Sequence, residues 1–133
     1  MSLSRDIRTA YFMALNGNLY LNGNMVPVLD SFAPDEMPAP YVVLSTQTVV
    51  EDSSKTCRGY NTTILLDIVT KFQHPSGRGQ SEEIAQQIED IISPDRSYDI
   101  IGYETAKDMD TDIVAKSGTQ YVYRKLLTYR HLI

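Results

Sequence analysis

"MPAPYVVLSTQTVVE", residues 37–51, places two prolines directly before an apolar, β-branched run. Proline fixes its own φ near about −65° and disfavours the helical region for the residue before it, so the chain enters Tyr41 extended. Four apolar residues from Tyr41 to Leu44, followed by Val49 and Val50, indicate a strand that is covered on both faces for at least half its length. Such a strand belongs to a sheet with a layer of helices.

Two stretches have the spacing of amphipathic helices. A serine at position 2 or 4 can cap a helix from about residue 3 to 16, and Gly17 is placed to end it in a left-handed turn. The second helix is expected to begin at Ser81 as its cap and to stop before Pro94. The apolar stripes are Ile7, Tyr11, Ala14 and Leu15 in the first helix and Ile84, Ala85, Ile88, Ile91 and Ile92 in the second.

A short hairpin is predicted after the first helix. Asn22-Gly23-Asn24 lies between two apolar runs, and Asn-Gly favours a tight turn because both residues tolerate positive φ. Pro27 cannot donate a ladder hydrogen bond, so the second arm is expected to be an edge or an irregular extended segment.

The remaining segments predict a long hairpin and a final pair of strands. The strand from Tyr41 to Val50 is expected to pair with a central strand from Tyr60 to Phe72, across the polar turn or exposed loop "EDSSKTCRGY". A further strand is expected from Ile100 to Thr105, with "KDMDTD" as a loop or strand end. Thr119 to Ile133 is expected to form a last long strand.

The order of elements predicts an α+β fold. It is expected to form one domain, residues 1–133, with a mixed, mainly antiparallel sheet of about four to six strands and two helices packed on one face. With 133 residues, of which 42% are hydrophobic, the chain has material for one core and not for two.

Charge is divided unevenly along the chain. The formal net charge is −5, from 12 basic and 17 acidic side chains. Four cations and no acidic residue follow Asp112, so the last 21 residues carry +4 and the first 112 carry −9, because −5 minus +4 is −9. This division suits an assembly in which the basic segment of one copy meets an acidic surface of another, and the alternative is a few solvated cations on an edge strand.

The motifs predict neither a metal site nor a catalytic site. Asp108, Asp110 and Asp112 alternate as at the start of a calcium loop, but Ile113 and Thr119 stand where an EF-hand requires Gly and Glu. The two histidines have no neighbouring nucleophile or carboxylate pattern, and GxSxG, HExxH and CxxC are absent from the sequence. We therefore expect no metal, no cofactor and no enzymatic activity.

Composition also bears on location and partners. Charged residues interrupt the N-terminal segment, and no apolar run approaches the roughly 18 residues of a membrane span, so a soluble protein without a membrane partner is expected. Tyr121, Tyr123 and Tyr129 lie with Arg124 and Lys125 on one basic strand. Interleaved aromatic and basic residues can stack nucleic-acid bases, but the acidic total favours a protein interface instead.

Several stretches together resemble one family. They are "LSRDIRTAYFMAL", "NLYLNGNMVPVL", "APYVVLS", "TTILLDIVTKF", "SEEIAQQIEDII" and the closing aromatic and basic strand. In this order they are similar to the tail-completion or tail-terminator proteins of tailed bacteriophages. The resemblance implies a homo-oligomeric ring, commonly a hexamer, which is assembled in the host cytoplasm and incorporated in the virion. It implies that the ring caps the tail tube, joins it to the head connector and lets DNA pass without specific binding.

Nine residues are the candidate partner contacts. We expect two long polar segments to be loops that face ring neighbours above or below. One segment carries Lys55 and Arg58, and the other carries Asp108, Asp110 and Asp112. Tyr121, Tyr123, Arg124 and Lys125 complete the set. The alternatives are a non-enzymatic interaction domain of another phage neck or baseplate component and, in a third class, an enzyme or a nucleic-acid binder.

Overall fold

A computed structural model describes residues 3–30, 38–53, 58–72, 78–92 and 104–132 of the chain. Two helices and seven strands lie in these ranges. In chain order they are α1 Leu3–Leu15, β1 Tyr20–Leu21, β2 Asn24–Met25, β3 Val28–Leu29, β4 Tyr41–Ser53, β5 Arg58–Phe72, α2 Gly79–Ile92, β6 Glu104–Ser117 and β7 Gln120–Leu132.

The strands form one small and one large sheet. β1 and β2 make the predicted hairpin, and five strands form a mixed sheet in the order β3-β4-β5-β7-β6. β3 pairs with β4 in parallel, whereas the other three pairings are antiparallel. The α+β prediction is therefore confirmed, and β5 is the central strand because its neighbours β4 and β7 pair with it along most of its length.

Both helices cover one face of the large sheet. α1 lies against β3 and β4, α2 lies against β5 and β7, and the helices also contact each other. The predicted stripes are buried, with Ala14 and Ile91 only partly so. On β5 the residues that alternate from Thr62 to Ile68 face the helices and are fully buried, as the pattern of that strand predicts.

The turns have the positive φ values that the sequence predicts. Gly17, just after α1, has φ 84°, and the hairpin turn has φ 53° at Asn22 and 83° at Gly23. The side chain of Gln87 on α2 holds this hairpin in place, because its Oε1 accepts from the Tyr20 amide at 2.9 Å and its Nε2 donates to the Tyr20 carbonyl at 2.7 Å.

The beginning of α2 differs from the expectation. Ser81 is inside the helix, which begins at Gly79, and the Arg78 carbonyl already accepts from the Glu82 amide at 2.9 Å. The Ser81 hydroxyl donates to the same Arg78 carbonyl at 2.9 Å. The prediction that Ser81 caps α2 was wrong. Its hydroxyl donates to a carbonyl one turn back, whereas a cap accepts from a helix amide ahead of it.

The acidic run also differs from the expectation of a loop or strand end. It lies within the 14-residue strand β6, which pairs with β7 along its length. Asp108 falls at an irregularity in the pairing, between Lys107 and Met109. The bulge shifts the alternation of β6 residues between the two faces of the sheet. Asp110 and Asp112 keep the regular spacing expected for the three aspartates, and this spacing does not extend to Asp108. Residues 100–103 of the strand expected before this run lie outside the described residues.

Candidate functional site

A polar groove lies between α2 and the β6–β7 pair. Its cavity has a volume of about 170 Å³. We call it the acidic groove, and it is lined by Glu82, Ala85, Gln86 and Glu89 of α2, Asp110 of β6, and Lys125, Leu127 and Tyr129 of β7. Glu82, Gln86 and Glu89 recur at helical spacing, so α2 presents them along one flank beside its buried stripe.

Lys125 is the cation among the described residues that line this groove. Its Nζ lies 2.9 Å from Oδ1 of Asp110 and 3.4 Å from Oδ1 of Asp112, and only 7% of the residue is exposed. Burial by itself lowers the pKa of the Lys125 ammonium, but the hydrogen bond with Asp110 and the charges of both aspartates outweigh it, so the pKa lies above its ordinary value. The ammonium therefore stays charged and relieves the repulsion between the two carboxylates.

Tyr129 is a buried residue of the groove wall. The residue is 1% exposed, and among the described residues its Oη has no hydrogen-bond partner. Burial raises the pKa of the Tyr129 hydroxyl far above its ordinary value, and the negative charges of Glu89 and Asp110 raise it further. The group is therefore a neutral phenol that can donate one hydrogen bond and accept others.

The opposite face of the large sheet has a second polar pair. Arg124 contacts Asp67 through two hydrogen bonds, from Nε to Oδ1 at 3.3 Å and from Nη2 to Oδ2 at 2.5 Å. The hydrogen bond with Asp67 raises the pKa of Arg124. Asp67 is only 8% exposed, so the guanidinium neutralises a buried carboxylate on a face that α1 and α2 do not cover.

Around this pair lies a broad, shallow depression of about 410 Å³. It is lined by Tyr41, Val43, Ser45, Asp67, Val69, Lys71, Val122 and Arg124. The Lys71 ammonium lies 5.7 Å from the centre of the Tyr41 ring, within the range of a cation–π contact.

β6 forms one edge of the large sheet. Within the described ranges no strand pairs with its outer side. Met109, Ile113 and Val114 are 59%, 39% and 46% exposed on it. A long edge strand presents unpaired backbone donors and acceptors, and together with exposed apolar side chains it is a template for pairing with another chain.

The chain shares its fold with a virion protein. A chain of the solved structure titled "Virion of native gene transfer agent (GTA) particle" matches with a TM-score of 0.55 and 16% sequence identity, covering 80% of this chain and 78% of that chain. At this identity the likeness establishes the fold alone. No protein-family model and no curated protein matches the sequence.

The structure brings three of the nine predicted contact residues together. Asp110, Asp112 and Lys125 form the cluster at the acidic groove, and they lie on paired strands, not in a loop. Arg124 is on the opposite face with Asp67. Since Arg124 and Lys125 pair with carboxylates of their own chain, part of the charge division seen in the sequence is neutralised within the molecule.

The other predicted contacts are dispersed. Tyr121 is near the β6–β7 turn, where the Lys116 ammonium lies 5.5 Å from its ring centre. Tyr123 is buried edge-on against Phe72, with ring centres 5.5 Å apart. Arg58 begins β5, Asp108 lies at the β6 bulge, and Lys55 is outside the described residues, as are Cys57 and His74.

Sequence reasoning missed the other half of the acidic groove. Glu89 and Tyr129 are far apart in sequence and meet only because α2 lies on β7. A signal for the helix side was present in the spacing of Glu82, Gln86 and Glu89. For Asp67 the signal was a single carboxylate within the otherwise apolar run of β5.

Two further site classes can be addressed within the described ranges. No group of three or more His, Cys, Asp or Glu side chains there is arranged to hold a metal ion. No helix in these ranges has the length and apolar character to cross a membrane.

Proposed function

We propose that this chain is a structural protein of a tailed-phage type of virion and that it forms a ring, commonly a hexamer, at the joint between head and tail. In this role the ring closes the finished tail tube, joins it to the head connector and leaves an axial passage for DNA. The observation that carries the proposal is the fold shared, over most of both chains, with a chain of the GTA virion. The proposal assigns no enzymatic activity and no cofactor to the chain.

Edge strand β6 is the proposed contact between neighbouring copies. A ring requires two different patches of one subunit to meet in a heterologous contact. Within the described part of the chain the outer edge of the 14-residue β6 is unpaired and Met109 and Ile113 are exposed on it, and its aspartates and lysines oppose unwanted pairing with other chains. The polar acidic run, for which the sequence predicts a contact with a ring neighbour, belongs to this strand.

Passage of DNA without retention is consistent with the charges of the chain. Affinity for DNA comes mainly from cations that neutralise phosphates. The formal net charge is −5, and Arg124 and Lys125, two of the four cations of the C-terminal segment, contact carboxylates of the same chain. The remaining acidic excess disfavours a tight, sequence-independent complex with DNA.

The mass of the purified chain in native conditions, with electron microscopy of the same sample, tests the ring. We expect a closed multimer of a single mass. Met109→Lys on the β6 edge is expected to reduce the multimer fraction, because it places a charge in an apolar contact. Met13→Lys is the matched control, since Met13 is also an exposed methionine, 73% exposed, but lies on α1.

Three outcomes would separate the alternatives. A chain that remains monomeric at every concentration and inside its native particle contradicts the ring. If it is a monomer bound to a neck or baseplate protein, the chain is an interaction domain of that component. Equal losses of multimer in Met13→Lys and Met109→Lys contradict the specific role of β6.

A further inference from the structure

The large sheet has a second open edge, on β4. β3 pairs with β4 only at Val42 and Val43, and within the described part of the chain no strand pairs with the outer side of β4 over residues 45–53. Val49 and Val50 lie on this stretch and are 41% and 60% exposed. Because successive residues of a strand point to opposite faces, neither face of the sheet is fully covered at this position.

The composition of this edge does little to protect it. Soluble proteins commonly protect an open edge with charged side chains, proline or a bulge, because its unpaired backbone groups otherwise pair with another chain. Residues 45–50, Ser-Thr-Gln-Thr-Val-Val, contain no charge and no proline. The bulge of β4 lies between Leu44 and Gln47, at the end near β3. The remainder of this stretch is therefore suited to pairing with a strand of another chain.

The two open edges of the sheet have matching directions. β6 runs antiparallel to β7, β7 to β5 and β5 to β4, so β6 and β4 run in opposite directions. A second copy whose sheet continues the first therefore places its β4 antiparallel to β6. This contact joins two different patches of the chain, so it is heterologous and can repeat around a ring.

We propose that the outer edge of β4 in one copy pairs with β6 of the neighbouring copy, so that the two sheets form one continuous antiparallel sheet. The proposal rests on the ring described above and names the surface that receives β6. In this contact Val50 lies opposite Ile113, and Val49 lies opposite Val114.

The alternation of side chains supports this register. Val50 and Ile113 lie on the face of the sheet that the helices leave open, whereas Val49 and Val114 lie on the helix face. Ile113 and Val114 are 39% and 46% exposed, so the register brings together two pairs of exposed apolar side chains, one pair on each face. A shift by one residue would place each valine opposite a side chain of the other face.

The same register leaves room for β3. Val43 is the last residue of β4 that pairs with β3, and it lies opposite position 67 of β5, whereas Val50 lies opposite position 61. The two residues are therefore six β5 positions apart, because 67 minus 61 is 6. Six residues beyond Ile113 is position 119, and β6 ends at Ser117. β3 of the second copy consequently lies beyond the end of β6.

One pair of like charges has to be accommodated in this register. It places Glu51 opposite Asp112, and like charges directly opposite each other disfavour strand pairing. The Lys125 ammonium lies 3.4 Å from Oδ1 of Asp112 and offsets the charge of this carboxylate. The repulsion between the two copies is reduced accordingly.

Paired cysteines test the contact and its register. In a Cys57→Ser background, Val50→Cys with Ile113→Cys places two thiols opposite each other across the contact, within reach of a disulfide. Within one chain β5 and β7 separate these positions by about 14 Å, so an intramolecular disulfide is excluded. Mild oxidation is expected to give a ladder of covalent multimers that ends at the size of the closed ring.

The matched control is Val50→Cys with Met109→Cys in the same background. Met109 lies on the same face of β6 as Ile113 but four residues away, about 13 Å along the strand. This pair is expected to give less than about a tenth of the crosslinked product, because the thiols are too far apart for a disulfide. Each single-cysteine variant is expected to give no ladder.

A charge on the β4 edge gives an independent readout. Val50→Lys is expected to lower the multimer fraction about two- to fivefold, because it replaces an apolar cross-strand contact with a charge. Met25→Lys is the control, since Met25 is 53% exposed but lies on the short hairpin, outside the large sheet. Native mass measures the multimer, and circular dichroism checks that each variant is folded.

The outcomes distinguish this contact from the ring itself. A closed multimer that does not crosslink through Val50 and Ile113 and is insensitive to Val50→Lys refutes the pairing while the ring stands. Crosslinking of the Met109 control in place of the Ile113 pair overturns the register. A dimer as the largest species means that copies meet about a two-fold axis, and it contradicts both proposals, as does a chain that is monomeric under all conditions.

Discussion

The hydroxyl of Tyr11 lies 2.6 Å from Nε2 of His131, and this contact joins α1 to the last strand of the sheet across 120 residues of sequence. Both side chains are fully buried, and their rings meet edge to face with centres 5.4 Å apart. Nδ1 of the same imidazole lies 3.4 Å from the Thr62 hydroxyl on β5. A polar network at this depth fixes how α1 lies on the sheet, because displacement of the helix would leave buried polar atoms without partners.

Tyr11→Phe is expected to lower the free energy of unfolding by about 1–2 kcal/mol, since the ring remains and the hydrogen bond with His131 is lost. Urea denaturation followed by circular dichroism measures the change. Tyr20→Phe is the control, because Tyr20 is 49% exposed and its hydrogen bonds with Gln87 use its backbone N–H and carbonyl. Equal stabilities of the two variants would show that the Tyr11 hydroxyl contributes nothing.

The Asp67–Arg124 pair is expected to be coupled more strongly than an exposed ion pair. A double-mutant cycle with Asp67→Ala and Arg124→Ala should give a coupling energy of about 1 kcal/mol, because the Asp67 side chain is only 11% exposed and receives two hydrogen bonds. The side chains of Arg8 and Asp30 are 39% and 58% exposed, and the same cycle on this pair should give less than about 0.5 kcal/mol.

Salt provides a second check on the same pairs. Raising the ionic strength should reduce the small coupling of Arg8 with Asp30 and leave more of the coupling of Asp67 with Arg124, because the Asp67 carboxylate is only 11% exposed and a buried charge is screened less. Similar coupling energies for the two pairs, at both low and high salt, would contradict the claim that burial of Asp67 strengthens its pair with Arg124.

The free energy of unfolding is expected to fall at alkaline pH because the phenol of Tyr129 is buried. Its pKa in the folded chain is raised far above the ordinary value of 10, so the folded state keeps a proton that the unfolded state loses. The stability due to this difference is fully present below about pH 10 and is lost as the pH rises toward the folded pKa, by up to about 1.4 kcal/mol per pH unit. Lys125, whose pKa is also raised, adds a loss of the same sign.

Tyr129→Phe isolates the contribution of the phenol. Unfolding free energies measured between pH 9 and pH 11 should fall less steeply for this variant than for the natural chain, while Tyr20→Phe follows the natural chain. Parallel curves for all three proteins would mean that Tyr129 ionises as readily in the folded state as in the unfolded state.

Local patterns were sufficient to predict most elements of this fold. The stripes of α1 and α2 and the turn at Asn22-Gly23 depend on residues close in sequence, and all are present as expected. β6 was not predicted over its acidic part, because the run has low strand propensity. Its stability depends on pairing with β7, where Lys125 neutralises Asp110 and Asp112, and this is a tertiary effect that local propensity does not contain.

The candidate site was predictable only in part for the same reason. Lys125 and the two aspartates were selected by their charge and position on the last two segments. Tyr129 was noted only as one of the tyrosines of the basic strand, and Glu89 was not selected, because a tyrosine in a strand and a glutamate on a helix become a site only when α2 docks beside β7. The distinction between Arg124 and Lys125 likewise depends on strand alternation, which places these sequence neighbours on opposite faces of the sheet.

The backbone of the short hairpin gives a last prediction. Gly23 has φ 83°, which a residue with a Cβ adopts only at a cost, although nothing lies within 4 Å of the place a Cβ would occupy. Gly23→Ala is therefore expected to lower the free energy of unfolding by about 1 kcal/mol through backbone strain alone. Gly79→Ala is the matched control: it has equally open surroundings but lies at the beginning of α2 without a positive φ, and it should raise stability by a few tenths to about 1 kcal/mol. Thermal or urea unfolding of both variants measures the two signs, and a neutral Gly23→Ala would mean that the turn relaxes to another conformation at no cost.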